Sequence, residues 1–154
     1  MNVQLTEIKQ NELISAWHMQ IKGFIPVFLK YFDRVNPIFN TYGRFKRRYK
    51  NKNIKEYWIE CDGKRVGELF LGFKEDCILL ARIFVLKRYW NMGIAQEAII
   101  CAENMFSKYK IWKLDTIKQE SRNCHLYEKL GYSRTGNEKV INKRMTIVDY
   151  EKIM

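Results

Sequence analysis

Apolar residues recur along this chain with two different periods, and each change of period marks an element. Over residues 2–8, Val3 and Leu5 alternate with polar neighbours, the two-residue repeat of a strand. Over residues 12–32 the repeat lengthens. Leu13, Trp17, Ile21, Phe24, Phe28 and Phe32 fall three or four apart, which predicts a helix. Pro26 lies inside that run and removes a backbone donor, so a kink or a break into two helices is expected there. Asn36-Pro37 has the form of a cap followed by a first-turn proline and predicts a short helix to about residue 48.

The pattern then turns strand-like. Residues 55–60, 65–73 and 77–85 are rich in β-branched and aromatic side chains. Asp62-Gly63 supplies a hairpin turn and Lys74-Glu75-Asp76 the next tight turn, so the three strands should form an antiparallel meander. Residues 93–110 return to helical spacing through Ile94, Ala98, Ile99, Ala102 and Phe106. A strand over 112–117, a helix over 122–130 stopped by Gly131, and closing strands over 132–136 and 144–150 complete the chain. The order is β-α-α-β-β-β-α-β-α-β-β. It predicts an α+β fold with a mixed, mostly antiparallel sheet of six or seven strands, flanked by about four helices. Without a linker or repeat, residues 1–154 read as a single domain.

Composition changes this picture in one respect. The net charge of +11 calls for an acidic partner: nucleic acid, an anionic membrane surface or a small polyphosphorylated ligand. No apolar run reaches the roughly 18 residues of a membrane span. The N-terminal residues lack signal-peptide features, and Cys61, Cys77, Cys101 and Cys124 have no CxxC spacing. Reduced thiols and a cytoplasmic location are therefore expected. With His18 and His125 as the only imidazoles, no metal site is expected.

Two stretches carry chemistry. In YWNMGIAQEAI, residues 89–99, a strand hands over to a helix through Asn91-Met92-Gly93. Backbone amides at such a helix start have no intrahelical partner, and they point the same way as the positive end of the helix dipole. Gly93 allows close backbone approach and Ala95 keeps the next turn narrow, which suits a pyrophosphate. Neither GxxxxGK[ST] nor GxGxxG is present. In RNCHLYEKLGY, residues 122–132, Tyr127 ends a short helix before Glu128-Lys129-Leu130-Gly131-Tyr132 and a strand. Taken together, Val85, Gly93, Ala95 and the Tyr127–Tyr132 run resemble the signature of the GNAT superfamily of N-acetyltransferases, with the intervening helix and strand in place.

That resemblance implies acetyl-coenzyme A as co-substrate and direct attack of an amine on its thioester. It implies that Ile83, Phe84 and Val85 end a strand with a local distortion against which the pantetheine arm pairs. Trp90, Asn91, Met92, Gly93, Ile94 and Ala95 would hold the pyrophosphate, and Asn123 would also contact the coenzyme. Tyr127 would be the general acid for the leaving thiolate. Two positions depart from the pattern. Trp90 stands where the family usually has Gln or Arg, leaving Lys87, Arg88 or a later lysine to supply charge. Glu120 stands where the family often has Asn.

The strand at 78–85 carries no carboxylate, so the base is sought among Glu60, Glu68, Asp115 and Glu120, with Glu120 first because it follows a strand at the site end of the sheet. Phe24, Tyr31 and Asp33, on the N-terminal helices, are candidates to bind the acceptor's ammonium group. The acceptor is a small-molecule or peptide amine, and the protein a monomer or homodimer. Two rivals remain: a non-catalytic coenzyme-binding protein of the same fold, and a nucleic-acid module built on the basic, aromatic run RFKRRYKNK at 44–52. No helix-turn-helix, RRM or zinc-finger signature accompanies that run, which disfavours nucleic acid, and no membrane partner is expected.

Overall fold

The computed structural model describes residues 1–154 throughout and keeps the predicted order of elements. Its strands are β1 (Val3–Glu7), β2 (Ile54–Cys61), β3 (Lys64–Phe73), β4 (Cys77–Val85), β5 (Ile111–Ile117), β6 (Ser133–Asn142) and β7 (Met145–Ile153). They form one seven-stranded sheet in the order β1-β2-β3-β4-β5-β7-β6. Every neighbouring pair is antiparallel except β4 and β5. Those two run parallel because α3 (Ile94–Met105) carries the chain back between them. The remaining helices are α1 (Leu13–Tyr31), α2 (Tyr42–Tyr49) and α4 (Ser121–Lys129).

The sequence expectations fail at four places, each for a local reason. Of the kink or break expected at Pro26, the break does not occur: α1 runs for 19 residues with the proline inside it. An interior proline costs about 3 kcal/mol, and the packing of α1 outweighs it. Trp17 Nε1 donates to the Asn40 carbonyl at 2.7 Å, and Leu13 and Ala16 are buried. Gly23 lies so close to Phe84 that an added Cβ would come within 2.1 Å of the ring. The helix expected from Asn36-Pro37 is two pieces. Asn36 caps a single 3-10 turn, Pro37–Phe39, and α2 starts afresh from Thr41, whose Oγ1 accepts from the Arg44 amide. α3 stops at Met105, where the rings of Phe106 and Tyr109 turn to pack on Phe73 at 5.0 and 5.6 Å. Lastly, β6 does not end at Gly136. With φ of +97°, Gly136 sits at an irregularity in the β6–β7 register, and the strand continues to Asn142.

Side-chain alternation sorts the sheet into two faces. On one, Tyr57, Ile59, Leu69, Leu71 and Leu80 meet Ile94, Ala98, Ile99 and Ala102 of α3. On the other, Trp58 and Phe70 meet Leu13 and Ala16 of α1 and Phe45 of α2. The second face also buries charge. Arg48 Nε donates to Glu56 at 2.7 Å, and Gln20 Oε1 accepts from Arg82 Nη1 at 2.9 Å and Arg48 Nη2 at 3.3 Å. Burial, with the neighbouring Arg48 charge, lowers Arg82 to about 10. Beside this group lies Glu68, fully buried with neither carboxylate oxygen partnered. Burial first, and the nearby Glu56 second, hold its carboxyl well above the usual range.

Candidate active site

The site begins where β4 and β5 part. They pair only over residues 77–80 and 111–114, so residues 81–85 of β4 have no strand on that side. The cause is a bulge. Phe70 of β3 opposes Arg82 and Leu71 opposes Leu80, which leaves Ala81 unopposed and turns the strand away from β5. This corrects the sequence expectation: the distortion lies at Ala81, whereas Ile83, Phe84 and Val85 stay in regular register with Leu69, Glu68 and Gly67. A cavity of about 1140 Å³ opens in the gap, lined by Ile83, Phe84 and Val85.

At one end of the cavity the chain forms a cradle of amides. Asn91 (φ 62°) and Gly93 (φ 78°) both take the left-handed conformation, the kind of turn in which successive N–H groups can face one anion. The amides of Asn91, Met92, Gly93, Ile94, Ala95 and Gln96 donate to no acceptor in the protein, and all six residues line the cavity. An added Cβ on Gly93 would meet only the Met1 methyl, at 4.0 Å, so the space over the cradle is open. Free donors at a helix start, clear space above them and adjoining cationic side chains fit a diphosphate well.

Trp90 does not leave its position merely vacant of charge. Its Nε1 donates to the Val85 carbonyl at 2.7 Å, pinning the loop to the end of β4. The Arg122 guanidinium lies 4.2 Å from the indole ring and reaches Asn91 Oδ1 at 3.4 Å. A cation thus reaches position 90 from the first turn of α4. The sequence reading missed Arg122, although it opens the second motif. Lys87 and Asn123 also line the cavity.

Tyr127 lines the cavity, buried in the α4 face of the core, and its hydroxyl makes no hydrogen bond within the protein. Burial, then the charge of Asp115, raises its phenol, so it stays protonated at neutral pH. Along β5, Trp112, Leu114 and Thr116 are buried on the α4 side. Asp115 therefore projects from the opposite face, where Asp149 of β7 is its register partner. Asp115 is exposed, yet partial loss of hydration first and Asp149 second raise its carboxyl above the usual range.

Glu120 also lines the cavity, but its carboxylate is engaged. It accepts from Lys30 Nζ at 2.8 Å and Tyr31 hydroxyl at 2.5 Å. Partial burial opposes ionisation, and these two donors overcome it, holding Glu120 below the usual carboxylate range. A carboxylate stabilised as its anion is a poor proton acceptor. Tyr31, expected to face an ammonium group, is instead buried behind Glu120, with Lys30 over its ring at 5.3 Å. Phe24 and Asp33 do reach the cavity. Phe24 packs edge-on against Phe84, and Asp33 Oδ1 accepts from the Val35 amide at 2.9 Å.

The basic run at 44–52 is not a stacking platform. Phe45 is fully buried, and Arg48 turns inward to Glu56, leaving Arg44, Lys46, Arg47 and Lys50 on the outside. No cluster of histidine, cysteine or acidic residues has the arrangement of a metal site. No helix is long and apolar enough to cross a membrane.

Comparison with known proteins agrees with this geometry. The model of the acetyltransferase (GNAT) domain matches residues 53–134. No curated protein matches in sequence. Among solved structures, the PaiA N-acetyltransferase of Thermoplasma acidophilum, in complex with coenzyme A, superimposes with a TM-score of 0.78 at 16% identity, covering 100% of both chains. The ribosomal-protein-S18-alanine N-acetyltransferase of Escherichia coli gives 0.76 at 13% identity, over 99% of this chain and 94% of its own. The spermidine N-acetyltransferase of Vibrio cholerae, in complex with coenzyme A and spermine, gives 0.76 at 13%, over 98% and 95%.

Proposed function

The chain belongs to the GNAT acetyltransferase family, and on that premise we propose that it moves an acetyl group from acetyl-coenzyme A to an amine. Acetyl-coenzyme A supplies the acyl thioester and carries the anionic groups for which the cradle is suited. The observation that carries the reading is the row of unpaired amides from Asn91 to Gln96, at the end of the strand edge that the Ala81 bulge sets free.

The chain's own groups divide the work. Amides 91–96 and Arg122 bind phosphate oxygens, and the free edge of β4 aligns the arm that follows. Fixed N–H donors at that edge stabilise charge on the thioester oxygen as it develops, without reorganising. Asp115, not Glu120, takes the amine's proton as the nitrogen–carbon bond forms and the carbon–sulfur bond breaks. Its raised carboxyl makes it the more basic of the two. Tyr127 gives its proton to the departing sulfur and regains one from solvent as Asp115 releases its own. A phenol at about 10 faces a thiol near about 8.5 in water, and burial of both in one apolar setting raises both. Each proton transfer is worth roughly 10²–10⁴-fold.

Two measurements together test the reading. Acetyl-coenzyme A should raise the melting temperature, and an amine panel should yield free thiol at a rate that depends on the acceptor. Stabilisation without thiol release from any amine would leave a coenzyme-binding protein and remove the enzymatic reading.

A further inference from the structure

The bulge at Ala81 does more than free a strand edge. Leu80 belongs to the α3 side of the core, and strict alternation would put Arg82 and Phe84 there with it. The extra residue turns both to the opposite face. Phe84 packs on Gly23 and Phe24 of α1, and the Arg82 guanidinium lies 5.9 Å from the Phe24 ring. Asp115 projects from the same face of the sheet, across the gap where β4 and β5 part. Arg82 and Asp115 both line the cavity, so the bulge sets a cation and an anion on the two strands that border it.

Arg82 is held in place and left without a counterion. Its Nη1 donates to Gln20 Oε1 at 2.9 Å, which fixes the direction of the guanidinium plane. The side-on fork, Nε with Nη2, bonds to nothing in the protein and is not sealed from solvent. No carboxylate pairs with Arg82. Glu56 is engaged by Arg48, and neither oxygen of the buried Glu68 meets a donor. Burial lowers Arg82 to about 10, so it keeps its charge at neutral pH. A half-buried guanidinium with two parallel donors free suits a carboxylate, which it grips bidentately.

We infer that Arg82 selects the acceptor, and that the acceptor is a free amino acid, its carboxylate in the Arg82 fork and its amine toward Asp115. The inference rests on the acetyl-transfer reading above and adds the substrate class. Phe24 and Phe84 line the cavity beside Arg82, so an apolar side chain is accommodated better than a charged one. A polyamine would meet Asp115 equally well, but it brings no anion for the guanidinium and sets a second ammonium beside it. A peptide without a carboxylate next to its amine leaves the fork empty as well.

The test follows thiol release by the full-length protein with acetyl-coenzyme A and three forms of one acceptor: phenylalanine, phenylalaninamide and phenethylamine. Leucine, with its amide and its decarboxylated amine, makes a second set. The free acid should show a kcat/KM about ten- to a hundredfold above the other two forms, the worth of one charge-assisted pair. Arg82→Gln should abolish that ratio, and Arg82→Lys, which keeps the charge without the fork, should restore only part of it. A merely structural role for Arg82 would slow all three forms alike and keep the ratio, and that result would overturn the inference. Hydrocinnamate, which has the carboxylate and no amine, should inhibit the unaltered protein competitively against phenylalanine, an arm that stands even where the Arg82 variants do not fold. Equal rates for the three forms, faster turnover of spermidine, or no inhibition by hydrocinnamate would overturn the inference and leave acetyl transfer standing. No thiol release from any amine would overturn both, and so tells the two failures apart.

Discussion

The two ends of the cavity are made of different material. At the α3 end the groups offered to a ligand are main-chain amides, aimed by the left-handed turns at Asn91 and Gly93 and by the Ala81 bulge. At the α1 end they are side chains, Phe24, Asp33, Glu120 and Lys139, brought together from segments far apart in sequence. Main-chain donors are indifferent to most substitutions, provided the turn survives. Two superimposed chains that share 16% and 13% of their residues with this one hold coenzyme A in their structures. The side-chain end has no such protection, because single substitutions change the groups it offers.

If that contrast is right, the cradle should break with a single turn residue, and the largest effect is expected from Gly93→Glu. It sets a carboxylate beside the diphosphate and forces a side chain onto a backbone with φ of +78°. Affinity for coenzyme A should fall by about two orders of magnitude or more, equivalent to about 2.7 kcal/mol, with the circular-dichroism spectrum retained. Unchanged calorimetric affinity would mean that the amides face something else.

Next come Tyr127 and Asp115, the groups proposed to handle the protons. Tyr127→Phe should lower kcat by roughly 10²-fold without moving the KM for acetyl-coenzyme A. Asp115→Asn should lower it comparably and also flatten the acid limb of the pH profile. The sign follows from the raised carboxyl. A base must be unprotonated, so activity climbs as pH rises through the Asp115 pKa, which lies above the usual ~3.9. An acid limb that persists in the Asn variant would transfer the role to another group, Glu120 first.

A smaller effect sharpens the donor end. Arg122→Gln should raise the KM for acetyl-coenzyme A by about three- to tenfold, the worth of one charge-assisted contact, and leave kcat alone. The smallest concerns the buried carboxyl of Glu68, the register partner of Phe84. Because the folded protein holds Glu68 well above its usual value, ionisation of Glu68 opposes folding, and its contribution is lost as pH rises. Glu68→Met should therefore raise the melting temperature by roughly 2–4 °C per kcal/mol recovered. The gain should be absent below about pH 4.3 and grow above it. A gain independent of pH would point to packing alone.

Much of the donor end was legible in the sequence, because it depends on local signals. Gly93 at a helix start, Val85 at a strand end and Tyr127 before Gly131 lie within short windows whose geometry follows from neighbours. What escaped was long-range. Nothing near Ala81 announces a bulge, since the misfit arises against Phe70 and Leu71 of another strand. Arg122 is 32 positions from Trp90 and meets it only after α3 and β5 fold back. Glu120 looked like a base until Lys30 and Tyr31, supplied by α1, turned out to hold its charge. Pro26 looked like a break because local chemistry opposes helix there, and tertiary packing overrides it.

The indole at position 90 gives the molecule an optical gauge. Trp58 and Trp112 are sealed in the interior and Trp17 is tied to Asn40, so Trp90 alone among the tryptophans borders the cavity. A guanidinium on its face and a carbonyl on its N–H are the surroundings that an arriving polyanion would redistribute, and emission should shift in colour or yield as the pocket fills. Titrating the unlabelled protein in a fluorimeter, with Trp90→Phe as the dark control, would then count filled sites directly, before any acceptor has been identified.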